Sequence, residues 1–147
     1  MLASKRLQPI VKMAEQKETA AAQKMGQSQM SLRDLEAQLQ SLVTMRADYM
    51  RRFQSSGSQL SAIRLQEFRR FLDKLDKGIT QQHMAIQQAK HDVSMKKSSW
   101  LKEHARHSSL QKITDKRQQQ EQKQADKREQ QVMDEHSQQI FARRLAV

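Results

Sequence analysis

By type and spacing, His104 and His107 are the residues of this chain best suited to do chemistry. Three apart on a helix they share a face, with Glu103 beside them. Two imidazoles and a carboxylate are a donor set that can hold a zinc-like ion. The other histidines, His83, His91 and His136, are scattered, the chain has no Cys, and no further carboxylate falls on that face. The pair is therefore read as part of a solvated helix face, and no metal is expected. A phosphate-cradling loop needs closely spaced glycines, and Gly26, Gly57 and Gly78 are far apart. With no catalytic residue and no cofactor-binding motif in view, the chain reads as a binding or mechanical part rather than an enzyme.

The elements that would position such residues follow from composition. Hydrophobic residues make up 36% of the 147 and aromatics 4%, with three Gly and one Pro to punctuate them. Helix formers with so few turn residues predict long helices, which bury a seam rather than a globular core. No run approaches the roughly 18 apolar residues of a membrane span. The start MLASKRLQPIVKMAEQKE lacks the apolar stretch of a secretory signal. The absence of Cys means no disulfides, and a cytoplasmic protein is expected. The net charge of +11 is spread along the chain, which suits acidic partners.

Two heptad series organise the sequence. With Leu32 as position a, eleven of the fourteen a and d residues from Leu7 to Phe53 are apolar, Glu18, Ser28 and Arg46 being the exceptions. Pro9 falls near the expected helix start, where proline is tolerated. QSSGSQLS, residues 54–61, is the cluster of Ser and Gly and reads as the turn, with Ser58 or Ser61 capping the next helix. A second series runs from Leu65 to Trp100 with nine of eleven positions apolar. The fold class expected is all-α: one antiparallel coiled-coil hairpin, helix 1 at about 5–53 and a longer helix 2 at about 62–142. Residues 111–147 are expected to overhang and fray. Their Gln-rich run, 116–131, has one apolar residue, Ala125, whereas Met133, Ile140 and Phe141 make the end apolar again.

Folding about Gly57 fixes a register. Ala14 then lies opposite Trp100, so the smallest seam residue faces the largest. Glu18 meets Lys96 with opposite charge, and Leu39 and Leu42 meet Leu75 and Leu72. Arg46 lies over Phe68, where a cation–π contact can form. A slip of one heptad sets Glu18 against Glu103, two like charges, and a slip the other way leaves it against Ala89. Glu18, Lys96, Ala14 and Trp100 are accordingly the register residues, since a seam ion pair specifies pairing more than it stabilises.

In RRFLDKLDKGI, residues 69–79, Leu72, Leu75 and Ile79 follow the seam and Phe71 stands one step off it. On pattern, such a flanking Phe is semi-buried cover more often than a docking handle. The segment before the heptads, MLASKR, is too short for a groove-reading basic helix, so no direct nucleic-acid binding is expected.

Three segments resemble the FliJ family of the bacterial flagellar type III export apparatus. QEFRRFLDKLDKGITQQH is similar to its F-x-x-x-L-[DE]-K-x-I pattern through Phe71, Leu75, Asp76, Lys77 and Ile79. KKSSWLKEHARHSSLQ resembles its K-S-W run through Ser99 and Trp100, and REQQVMDEHSQQIFARR its C-terminal M-D-E segment through Met133, Asp134 and Glu135. The sequence departs at Gly78, where a better helix former is expected. The resemblance implies a cytosolic protein like the central stalk of a rotary ATPase. It would work at the cytoplasmic face of the inner membrane and reach that membrane only through partners. Those partners are the hexameric flagellar export ATPase, the large membrane subunit of the export gate, and export chaperones. Phe71 and Leu75 match family residues implicated in gate contact. By analogy with rotary stalks, Met133, Ile140 and Phe141 would face the ATPase. The rival readings are a generic cytoplasmic coiled-coil scaffold, a nucleic-acid-associated protein, and a two-armed coiled-coil chaperone.

Overall fold

A computed structural model of the chain describes residues 2–57 and 61–146. It is all-α, two helices packed against each other: α1 is Ala3–Ser56 and α2 is Ala62–Leu145. Ser58, one of the two candidate caps, lies outside the described residues. Ser61 caps α2: its hydroxyl accepts the Arg64 N–H at 3.3 Å and its carbonyl the Leu65 N–H at 3.0 Å. Gly57, at φ 61°, takes the left-handed conformation that ends α1. Ser55 and Ser56, read as turn from composition, form the last turn of α1, where both hydroxyls donate to the Arg52 carbonyl. At the other end, α1 begins at Ala3 and runs through Pro9. Proline has no N–H for the Lys5 carbonyl, but the Ser4 N–H and hydroxyl both donate to the Glu121 carboxylate, at 3.1 and 2.5 Å, and hold this first turn.

The helices divide into two compact units. In the unit Ala20–Leu101, Leu75 and Ile86 are buried, as is Ser28, whose hydroxyl donates to the Met25 carbonyl one turn back. Aromatic rings set the pairing here. Phe53 stacks on Phe68 with centroids 3.8 Å apart, and Tyr49 stacks on the same Phe68 at 5.0 Å. Phe53, not Arg46, is therefore the partner of Phe68, and the register is slipped by one heptad from the one expected by folding about Gly57. Arg46 instead donates to Asp76 at 2.6 Å, and Gln82 donates to the Leu35 carbonyl and to Gln38. The slipped register sets Ala21, rather than Ala14, opposite Trp100, so an alanine still faces the tryptophan.

Energetics explain the correction. Each stacked aromatic pair contributes about 0.5–1.5 kcal/mol beyond its burial. An ion pair with solvent access contributes about 0–1 kcal/mol. The Glu18–Lys96 pairing was the weaker of the two constraints, and Lys96 takes Asp92, one turn back on α2, at 3.9 Å.

In the other unit, made of residues up to Thr19 and from Lys102 onward, Ser4, Val11, Ala14 and Thr114 are buried. The paired region extends well past residue 110: Leu110 and Gln111 are half-buried, and Glu121 receives Ser4. From 122 to 146 every residue is exposed, yet α2 continues to Leu145. The heptad slip accounts for the longer pairing, since it moves each α1 residue against α2 one heptad later.

Gly78 has no positive φ, and a Cβ built on it meets nothing within 4 Å. Neither the turn chemistry nor the packing of this chain requires glycine there. Gly78→Ala is expected to stabilise the protein by about 0.5–1 kcal/mol through helix propensity, read as a higher midpoint in a thermal melt followed by circular dichroism.

Candidate functional site

Two surfaces and one polar cluster take up the residues singled out by sequence. The first surface lies on the flank of the hairpin in the unit Ala20–Leu101. Phe71 is 38% exposed and packs its ring on Tyr49 at 4.4 Å, tilted by 55°. Leu75, one turn on, is 6% exposed and belongs to the core. The two residues thus have different roles: Phe71 offers apolar surface outward, and Leu75 anchors the helix that carries it. Phe71 lines a shallow groove with Met45, Asp48, Tyr49 and Arg52 of α1, whose polar side is Gln40, Ser41 and Thr44. Met45 is itself 49% exposed.

The α1 half of this groove escaped the sequence reading, which considered Phe71 on α2 alone. A signal was available. Phe71 precedes a seam position, and in an antiparallel pair its flank faces the equivalent flank of α1, occupied by Met45 and Arg52.

The second surface is the exposed end of α2. Val132, Met133, Ile140, Phe141 and Leu145 are all exposed. Continuing the α2 heptads from Trp100, Met133 and Ile140 fall at the position farthest from the seam. Val132 and Phe141 flank the seam and Leu145 falls on it, so the apolar end wraps around the helix, with Met133 and Ile140 on the side away from the hairpin's inner stripe.

The polar cluster is built on Glu18, whose side chain is 19% exposed. His104 Nδ1 donates to one carboxylate oxygen at 2.7 Å and His107 Nδ1 to the other at 2.5 Å. These contacts resolve the like-charge objection to the slipped register. Glu18 does come to the Glu103 level of α2, but His104 and His107, one on each carboxylate oxygen, satisfy it. The buried Glu103 Oε2 has no hydrogen-bond partner. Among the described residues no group of three or more His, Asp or Glu converges as metal ligands would. The cluster is a hydrogen-bonded clamp.

His104 first, then His107, hold the Glu18 carboxyl below the ordinary glutamate value. The Ser4 hydroxyl and then the Ser4 N–H do the same for Glu121. Both groups bind protons more readily in the unfolded chain. Their stabilisation is therefore complete above the ordinary glutamate pKa and is lost as pH falls below it, through the folded values. The melting midpoint should fall in that acid range, and the fall should shrink in Glu18→Gln and Glu121→Gln, measured by circular dichroism across pH.

No helix among the described residues is long and apolar enough to cross a membrane. The model of the family described as Flagellar FliJ protein matches residues 4–146. No curated protein matches the chain.

Proposed function

Since the chain belongs to the FliJ family and is thereby a component of the flagellar protein export apparatus, we propose that it is a cytosolic stalk-type protein linking the export ATPase to the export gate. Phe71 carries the contact with the gate's large membrane subunit, and Leu75 keeps α2 in the register that presents it. The apolar end of α2, through Met133, Ile140 and Phe141, meets the hexameric ATPase. Export chaperones are a third class of partner, and association with the membrane is through these proteins.

The observation that supports this reading best is the environment of Phe71. A large aromatic ring held half out of the protein, in a groove with Met45 and Tyr49, is the kind of anchor that carries binding energy at an interface. The exposed apolar residues at the end of α2 support a second contact on a different partner.

The test is a pull-down from flagellated bacteria with the full chain as bait. Recovery of both the export ATPase and the gate subunit is expected. A folded bait that recovers neither would favour a generic coiled-coil scaffold. A bait that recovers nucleic acid, with binding that falls steeply as salt rises, would favour the nucleic-acid reading.

A further inference from the structure

The hairpin end has a charge pattern unlike the rest of the chain. Between residues 51 and 70 it carries five arginines, no lysine and a single carboxylate, Glu67. All five are exposed. Arg51 is paired with Asp48, at 2.9 Å. Arg52, Arg64, Arg69 and Arg70 have no ion-pair partner among the described residues, whereas Arg46, a little further along α1, is paired with Asp76.

Two of these unpaired arginines bear on the Phe71 groove. Arg52 lines it directly, beside Tyr49 and Phe71. Arg64 is one heptad before Phe71 on the same flank of α2. The groove is therefore polarised: Met45, Tyr49 and Phe71 offer apolar and aromatic surface, Arg52 lines it on the side toward the turn with Arg64 further along the same flank, and the one lining carboxylate, Asp48, is taken by Arg51. Arginine is suited to such a place because its planar fork binds carboxylates two bonds at a time. An unpaired guanidinium beside an apolar anchor favours a carboxylate there and discriminates against a basic or neutral segment.

We propose that the groove takes an acidic protein segment: an apolar side chain seats against Phe71, Tyr49 and Met45, and carboxylates beside it pair with Arg52 and Arg64. Gln40, Ser41 and Thr44, along the other side, are hydrogen-bonding groups suited to a peptide. This assignment rests on the reading of Phe71 as the gate contact and adds to it the chemistry of the surface that meets it. It also gives the basic balance of the chain a local use, at one end of the hairpin.

The experiment measures binding of the full chain to the purified soluble domain of the gate's large subunit, at low and at physiological salt. Wild type is expected to bind less tightly as salt rises. Arg52→Gln with Arg64→Gln should weaken binding about tenfold at low salt and remove most of the salt dependence, as loss of two charge pairs does. Arg70→Gln, on the outer face of α2, should behave as wild type. Circular dichroism melts of each variant separate folding from binding. Wild-type strength in the double variant, or equal loss in Arg70→Gln, would overturn the acidic-segment proposal while leaving Phe71 as the contact. No binding by wild type would overturn both. A parallel flotation with phosphatidylglycerol vesicles should show no Arg52- or Arg64-dependent binding. If it does, the arginines serve lipid phosphate and not a protein segment.

Discussion

Phe71→Ala is expected to leave the helical content unchanged and to cost about 1 kcal/mol of stability, while weakening gate binding by roughly thirtyfold or more. The first figure follows from partial burial. A fully buried Phe→Ala costs about 3–5 kcal/mol, but Phe71 is 38% exposed and loses one ring contact, with Tyr49. The second follows from interface energetics, where an aromatic anchor removed from its pocket costs about 2 kcal/mol or more. Leu75→Ala makes the contrast. With Leu75 at 6% exposure, the change should cost about 2–5 kcal/mol of folding stability, and any loss of gate binding should follow from the weakened fold. The measurements are chemical denaturation and binding to the gate's soluble domain, with swimming motility as the cellular readout. If Phe71→Ala lost stability as Leu75→Ala does, Phe71 would belong to the core and the groove would not be a contact site. If binding survived Phe71→Ala intact, the gate contact would lie elsewhere.

That two residues one turn apart should differ so much was only half legible in the sequence. Heptad counting put Leu75 on the seam and Phe71 beside it, because periodicity reports which side of a helix is apolar. It does not report what stands across the flank. That depends on register, and register in a long seam of similar residues rests on small differences. The a and d positions of this chain accept more than one alignment: the one folded about Gly57 matches leucines with leucines, and the observed one sets Leu35 and Leu42 against Ile86 and Ile79. Charge alone favours the alignment folded about Gly57, because the slipped one sets Glu18 against Glu103. What decides otherwise is His104 and His107, whose Nδ1 atoms lie at 2.7 and 2.5 Å from the Glu18 oxygens, together with Tyr49, Phe53 and Phe68, three of the chain's few aromatic residues, acting as a set.

The same slip explains why the reach of the hairpin was underestimated. Counted from the expected register, residues past about 110 have nothing opposite them. Counted from the observed contacts, Glu121 still has Ser4, and the exposed part of α2 begins only after it. The apolar residues beyond were visible as composition. The place of Met133 and Ile140 at the outermost heptad position needs the register of α2 carried through the Gln-rich run. A partner meeting this face therefore need not compete with the hairpin's own packing.

The register itself has a decisive energetic test in Phe68→Ala. This side chain is half-buried and stacks on two rings, with centroids 3.8 Å from Phe53 and 5.0 Å from Tyr49. Its truncation should cost about 3–4 kcal/mol, in the lower half of the range for buried Phe→Ala because the ring is half-buried. The size of that loss alone does not identify the partner, because any well-packed Phe would show it. A double-mutant cycle does. Phe53→Ala combined with Phe68→Ala should cost less than the two separate losses together, by the coupling of a stacked pair, about 0.5–1.5 kcal/mol. Arg46→Ala combined with Phe68→Ala should be additive to within about 0.3–0.5 kcal/mol, as expected of residues without a shared contact. Arg46 spends its guanidinium on Asp76, so its own coupling should appear with Asp76→Ala instead. Equilibrium urea denaturation of wild type and the five variants gives both cycles under one condition. Coupling of Phe68 to Arg46 rather than to Phe53 would restore the register folded about Gly57. It would also take Tyr49 away from Phe71, and with it the α1 half of the groove.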